Sequence, residues 1–297
     1  MADSAIRRAV LSLLKRKKVS TFDSPMKKTI IILLCMLSAA PSLHLASARE
    51  PMLSIFRENY AVTGIPLNTK PDWNTNDVAY QISVRFNLLQ DMRGKEWDAF
   101  IGYTQLSVWD VYRPSNPFRS HIYNPGVYVH HPFTKDKYGV KSDILFGWEH
   151  RSNGLDSKES RSVNYIFGTY THRFGANFTA QATARFGVGS IGNYTSFEMY
   201  RYLGYVNFGL CYHSSDRRFQ ASASVTPLIG CDIPLNCNAE LAWNPSRRAE
   251  WLYLVARYHY GYDENQLDCA SEDVFLKHML RFGIAVQPRL LSQKLYQ

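Results

Sequence analysis

His150 and Ser152 stand two residues apart at the end of the run Ile144-Leu145-Phe146-Gly147-Trp148-Glu149-His150-Arg151-Ser152. In an extended chain, side chains at i and i+2 share a face. Ile144, Phe146, Trp148, His150 and Ser152 then form one stripe, apolar except at its end. An imidazole beside a hydroxyl is the minimum for base-activated nucleophilic attack, because the ring nitrogen takes the hydroxyl proton as the oxygen attacks a carbonyl carbon. A third group must fix the ring's tautomer. If the chain turns over residues 153–161 and returns antiparallel, Asn164 comes opposite His150 with the parity of Ile166, again on the apolar stripe. Its side-chain oxygen can accept the imidazole N–H, as in Cys-His-Asn hydrolases. The competing reading is a chance pair of polar residues at a rim, since the chain has nine histidines.

Positioning such a group requires strands, and the chain is rich in them. Over 77–88, Val78, Tyr80, Ile82, Val84, Phe86 and Leu88 alternate with Ala79, Gln81, Ser83, Arg85 and Asn87. Segments 177–186 and 219–225 repeat the pattern. Strict alternation is the signature of a strand with two unlike faces. Twelve strands are expected: 53–62, 77–88, 96–112, 120–132, 139–152, 162–173, 176–188, 198–213, 217–228, 235–244, 248–262 and 274–287. No segment shows sustained helical periodicity. Long and short connections alternate. A soluble β-sandwich would also alternate, but these strands are long for one. Their even number, the alternating connections and the Gln, Arg and Asn on the polar faces favour an all-β, twelve-stranded antiparallel transmembrane β-barrel. The rule of short periplasmic turns and long outer loops puts both termini in the periplasm. No run of 18 apolar residues exists, so no helix is expected to span a membrane.

The net charge of +9 on 297 residues would suggest a nucleic acid or an anionic surface as partner. Its location argues otherwise. Residues 1–48 hold eight Lys/Arg and two acids, a net of +6, which leaves +3 for the rest. No nucleic-acid partner is expected. Met26-Lys27-Lys28, the apolar run 29–37 and Ala46-Ser47-Ala48 have the layout of a secretory signal peptide. The expected organisation is 1–25, an overextended reading frame; 26–48, a signal peptide; and 49–297, the mature barrel. Export permits disulfides among Cys211, Cys231, Cys237 and Cys269. Cys231 is placed to pair with Cys237, or one of these with Cys269, while Cys211 is expected to stay a thiol; the competing reading is no disulfide at all. No spacing suits zinc.

His150-Arg151-Ser152-Asn153-Gly154 with Ser160-Arg161-Ser162-Val163-Asn164 resembles the active-site segment of the outer membrane phospholipase A family. Tyr103-Thr104-Gln105-Leu106-Ser107-Val108-Trp109, Ser115-Asn116-Pro117-Phe118-Arg119 and Tyr123-Asn124-Pro125 resemble that family's third- and fourth-strand segments. Tyr258 to Asp268 resembles a later one. The resemblance implies a twelve-stranded outer-membrane barrel of a Gram-negative bacterium. It would hydrolyse acyl esters of phospholipids and lysophospholipids, with phospholipase A1 and A2 activity. Carried over, Ser152 is the nucleophile, His150 the base, Asn164 the orienting group, and the Gly154 N–H an oxyanion donor. The resemblance further implies one Ca2+ per site and an active homodimer. The metal ligands would be Ser160 and the Leu155 carbonyl from one subunit and Ser115 from the other, with Gln105 in the dimer interface. Three rivals stand beside this reading, one of them a soluble β-sandwich esterase, which would stay in solution without detergent after export. A lipid A deacylase also uses His-x-Ser, but would carry an acid at position 164 and need about eight strands. A silent porin or structural barrel would conduct ions without hydrolysing esters.

Overall fold

The computed structural model describes residues 51–90, 96–156, 159–188, 196–246, 249, 251–262 and 276–286. The signal-peptide reading and Cys269 lie outside them. By contacts the chain divides into Met1–Ala48 and Arg49–Gln297, and the described residues all belong to the second unit.

Thirteen strand segments make twelve staves. They are β1 (Leu53–Ile55), β2 (Asn59–Pro66), β3 (Asp77–Leu89), β4 (Asp98–Trp109), β5 (Phe118–Asp136), β6 (Gly139–Ser152), β7 (Ser162–Phe174), β8 (Phe178–Gly187), β9 (Val206–His213), β10 (Phe219–Pro227), β11 (Leu235–Trp243), β12 (Leu252–Gly261) and β13 (Lys277–Val286). Consecutive staves pair antiparallel, and β13 closes the sheet onto β2. Closure leaves no sheet edge for lipid to meet, which is what a membrane-spanning sheet requires.

The faces are arranged inside out. Phe86, Ile101, Val127, Phe146, Trp148, Ile166, Phe186, Phe208, Leu241, Leu254 and Phe282 are exposed on the outer wall. The lumen holds polar groups such as Ser83, Thr104, Asn124, Glu149, Thr169 and Arg281. An aromatic cluster of Phe56, Phe100, Tyr128, Tyr165 and Phe167 also fills part of it. Period-two alternation is therefore the direct imprint of lipid on one side and a hydrated lumen on the other.

The structure departs from the sequence expectation in three places. The first stave is broken. β1 and β2 pair with the same edge of β3, but Phe56, Arg57 and Glu58 bulge between them, with Phe56 and Glu58 wholly buried. The expected strand 198–213 begins instead as a helix, α1 (Ser196–Leu203), and only then continues as β9. Lying between staves, this stretch is under no pressure to alternate. Finally, no disulfide joins the described cysteines Cys211, Cys231 and Cys237. The Cys231 thiol instead donates to the Arg201 carbonyl at 3.3 Å. Cys237 is set into β11 between Val225 and Tyr260.

Candidate active site

β6 and β7 pair without interruption from Ser142↔His172 to Ser152↔Ser162, and within that ladder His150 faces Asn164. His150 Nδ1 lies 2.9 Å from Asn164 Oδ1. The amide oxygen only accepts, so Nδ1 carries the proton and Nε2 keeps its lone pair. Ser152 lies two residues along the same face, in line with Trp148 and Phe146 on the outer wall. His150 and Ser152 are half-buried and Asn164 is buried. The group therefore sits at the long-loop end of the barrel and opens sideways, towards lipid.

The loop after β6 is closed by Asn153. Its amide donates to the Glu159 carbonyl at 2.8 Å, and its Oδ1 accepts the Arg161 N–H at 3.0 Å and the Leu155 N–H at 3.3 Å. Gly154 follows with φ +72°, a left-handed conformation that glycine adopts without strain. A Cβ there would lie 2.4 Å from the Tyr123 ring. Tyr123 is itself opposite Ser152 in the β5–β6 ladder, so Gly154 lets the loop backbone close over the site.

Leu155 and Ser160 lie on this same loop. Ser115 lies on the next long-loop turn, 110–117, where it has φ +66° and is exposed. β5 and β6 separate that turn from the 153–161 loop. The three expected metal ligands are hydroxyls and a carbonyl. Oxygen donors suit a hard cation such as Ca2+, and a set without a carboxylate suits a site completed by water and a second chain. No cluster of three or more His, Cys, Asp or Glu able to hold a metal occurs among the described residues.

Gln105 is on the wall. Strand pairing puts Gln105 opposite Tyr123, and Tyr123 opposite Ser152, so Gln105 and Ser152 share one row across three staves. Tyr103 donates to Gln105 Oε1 at 2.9 Å, and Gln105 donates to Ser107 Oγ at 3.2 Å. Ser107 then meets His121 Nδ1 at 2.8 Å. A polar ladder on a lipid-facing wall is costly unless something covers it.

The structure also shows two serine–histidine pairs that sequence spacing did not single out, because strand register rather than sequence proximity makes them. Besides Ser107–His121 there is Ser142–His172, at 2.8 Å. In both, the serine is buried (Ser107 0%, Ser142 3% exposed), out of a substrate's reach. Of these outer-wall histidines, His150 is the one bonded to an amide side chain.

A family model for phospholipase A1 matches residues 50–276. A putative phospholipase A1 of Neisseria meningitidis is 36% identical over 92 residues, which is 29% of this chain and 24% of that protein. Phospholipase A1 of Escherichia coli K12 is 27% identical over 152 residues, 49% of this chain and 52% of the relative. The chain thus spans between a quarter and about half the length of these curated relatives. Among solved structures, outer membrane phospholipase A from Escherichia coli superposes with a TM-score of 0.67 at 21% identity, covering 82% of this chain and 94% of that one. The Salmonella typhi outer membrane phospholipase dimer with bound calcium gives 0.66 at 20% identity, covering 79% and 92%. With its family match covering residues 50–276, about three quarters of the chain, and its sheet closed in the same fold, the chain belongs to the phospholipase A1 family and is a multi-pass β-barrel of the outer membrane.

Proposed function

We propose that the protein is a calcium-dependent outer-membrane phospholipase that hydrolyses acyl ester bonds of phospholipids and lysophospholipids at His150, Ser152 and Asn164. The observation that carries the reading is the His150–Asn164 hydrogen bond on the lipid-facing wall, two residues from a serine on the same face. His150 Nε2 takes the Ser152 proton as Oγ attacks the ester carbonyl carbon. Nδ1–H stays bonded to Asn164 Oδ1, which stabilises the imidazolium that forms. The Gly154 N–H donates to the developing oxyanion. The imidazolium then protonates the departing glycerol oxygen, and water attacks the acyl-enzyme by the same route in reverse. Ser160, the Leu155 carbonyl and the partner subunit's Ser115 would hold Ca2+, which supplies further positive charge to the oxyanion.

The active species in this reading is a homodimer. A single barrel offers a flat wall to the acyl chain, whereas a second barrel against the Gln105 row makes a cleft. A polar contact between membrane-facing walls contributes ~1–2 kcal/mol, so Gln105→Ala should raise the dimer dissociation constant about tenfold. Sedimentation in detergent micelles measures it, and an unchanged constant removes Gln105 from the interface. Residues 26–48, read as a signal peptide, complete the proposal.

The test is fatty-acid release from phosphatidylcholine in detergent micelles by purified protein, with Ca2+ or with a chelator. Release that survives chelation contradicts the calcium requirement. Ser160→Ala should shift the calcium titration to roughly tenfold higher concentration, the cost of one ligand oxygen at a charge-assisted contact. An unaltered titration removes Ser160 from the metal site.

A further inference from the structure

α1 lies in the long connection between β8 and β9 and is tied down from several sides. Arg201 donates to the Gly230 carbonyl, and the Cys231 thiol donates to the Arg201 carbonyl at 3.3 Å. Asn236 Nδ2 donates to the Tyr202 carbonyl at 3.3 Å, and the Tyr202 ring packs edge-on against Tyr262 at 5.0 Å. These contacts come from the β10–β11 loop and the ends of β11 and β12, across the barrel from β7. Out of the anchored helix, Tyr200 points back. Its side chain is 3% exposed and packs in one cluster with Val163, Tyr165 and Leu203. Its hydroxyl donates to the backbone carbonyl of Asn164. The Val188 N–H donates to that carbonyl at 2.9 Å, so both of the oxygen's acceptor positions are used.

Gly187 makes this approach possible. It lies opposite Tyr165 in the β7–β8 ladder, and a Cβ on it would sit 2.2 Å from the Tyr200 ring. Burial pushes the Tyr200 hydroxyl up to about 12, so it keeps its proton and donates throughout the range in which an imidazole base works.

We propose that Tyr200 is a positioning residue: the anchored helix α1 uses its hydroxyl to fix the backbone of Asn164, and through it the amide that orients His150. The inference rests on the hydrolase reading above and adds to it a device outside the β6–β7 ladder. A β-ladder alone leaves Asn164 on a strand that breathes with its neighbours. The hydroxyl couples that strand to a helix pinned on the far side of the mouth.

The test is a double-mutant cycle on the calcium-loaded protein, read as kcat and KM for a micellar phosphatidylcholine. Tyr200→Phe keeps the ring against Gly187 and removes only the hydroxyl. It should lower kcat about threefold to tenfold, the loss expected for one hydrogen bond, and leave KM unchanged. In an Asn164→Ala background the same substitution should change nothing further, because the amide being positioned is gone. An equal drop in both backgrounds, a drop in KM alone, or no drop at all overturns the clamp. Ser152→Ala run alongside separates the two readings, since activity persisting there defeats the hydrolase site itself, whatever Tyr200 does.

Discussion

Ser152→Ala is expected to lower fatty-acid release by on the order of 10⁴-fold or more while the barrel folds as before, since loss of a nucleophile in such a constellation removes the whole covalent route. The substitution deletes one half-buried hydroxyl at a strand end, with no core packing to lose. Its effect should therefore fall on kcat and not on assembly. Asn164→Ala should fall well short of it, at about 10- to 100-fold, because it removes one hydrogen bond to a ring that becomes charged. His150→Ala should match Ser152→Ala, as members of one proton relay act as a unit. The readout is initial-rate hydrolysis of micellar phospholipid, with heat-modifiable gel migration as the check on folding. A Ser152→Ala protein within tenfold of wild type would sink the catalytic assignment and return the porin reading.

Glu149→Leu should produce the largest loss of stability. Glu149 lies directly behind the site, next in sequence to His150 but on the luminal face, and is 1% exposed. It accepts from the Arg57 guanidinium, from the Tyr165 hydroxyl, and from the Tyr128 hydroxyl at 2.9 Å. Arg57 comes from the bulge between β1 and β2, and its other arm donates to Asn124 Oδ1 at 3.0 Å. Asn124 in turn donates to the His150 carbonyl at 3.0 Å. Removing the carboxylate strands a guanidinium in the lumen, at a cost of roughly 3–5 kcal/mol. Equilibrium unfolding by urea in micelles measures it. The double variant Arg57→Met with Glu149→Leu should recover part of the loss, since it removes the stranded Arg57 charge while the Tyr128 and Tyr165 hydroxyls still lose their acceptor. A Glu149→Leu protein as stable as wild type would show that lumen water solvates Arg57 in its place.

The architecture was legible because its cause is simple. Lipid outside and water inside force side chains to alternate, so Val78 to Leu88 and Phe178 to Phe186 announce strands in any reading. The His150–Asn164 pairing was legible for a related reason. The two residues flank one loop, and a hairpin centred on 153–161 leaves a single register that keeps Trp148 and Ile166 on the same wall. The bulge at 56–58 left no trace, since Phe56-Arg57-Glu58 reads as ordinary strand until a lumen exists to receive it. α1 was missed because its aromatic-rich sequence favours strands and its stretch sits outside the alternating region. Tyr200 and Leu203, spaced i to i+3 and both buried, are the signal that could have found it.

The sequence by itself determined the strands, their faces and the local pair that could do chemistry, because each of these follows from neighbours within one hairpin. Only the tertiary structure decided what stands behind that pair. The contacts from Arg57 through Asn124 to His150, and from Tyr200 to Asn164, join residues 26 to 92 positions apart, counting the Arg57–Glu149 bond. No periodicity encodes such contacts. They exist because closing the sheet brings the bulge of the first stave and the helix between β8 and β9 onto the same two strands.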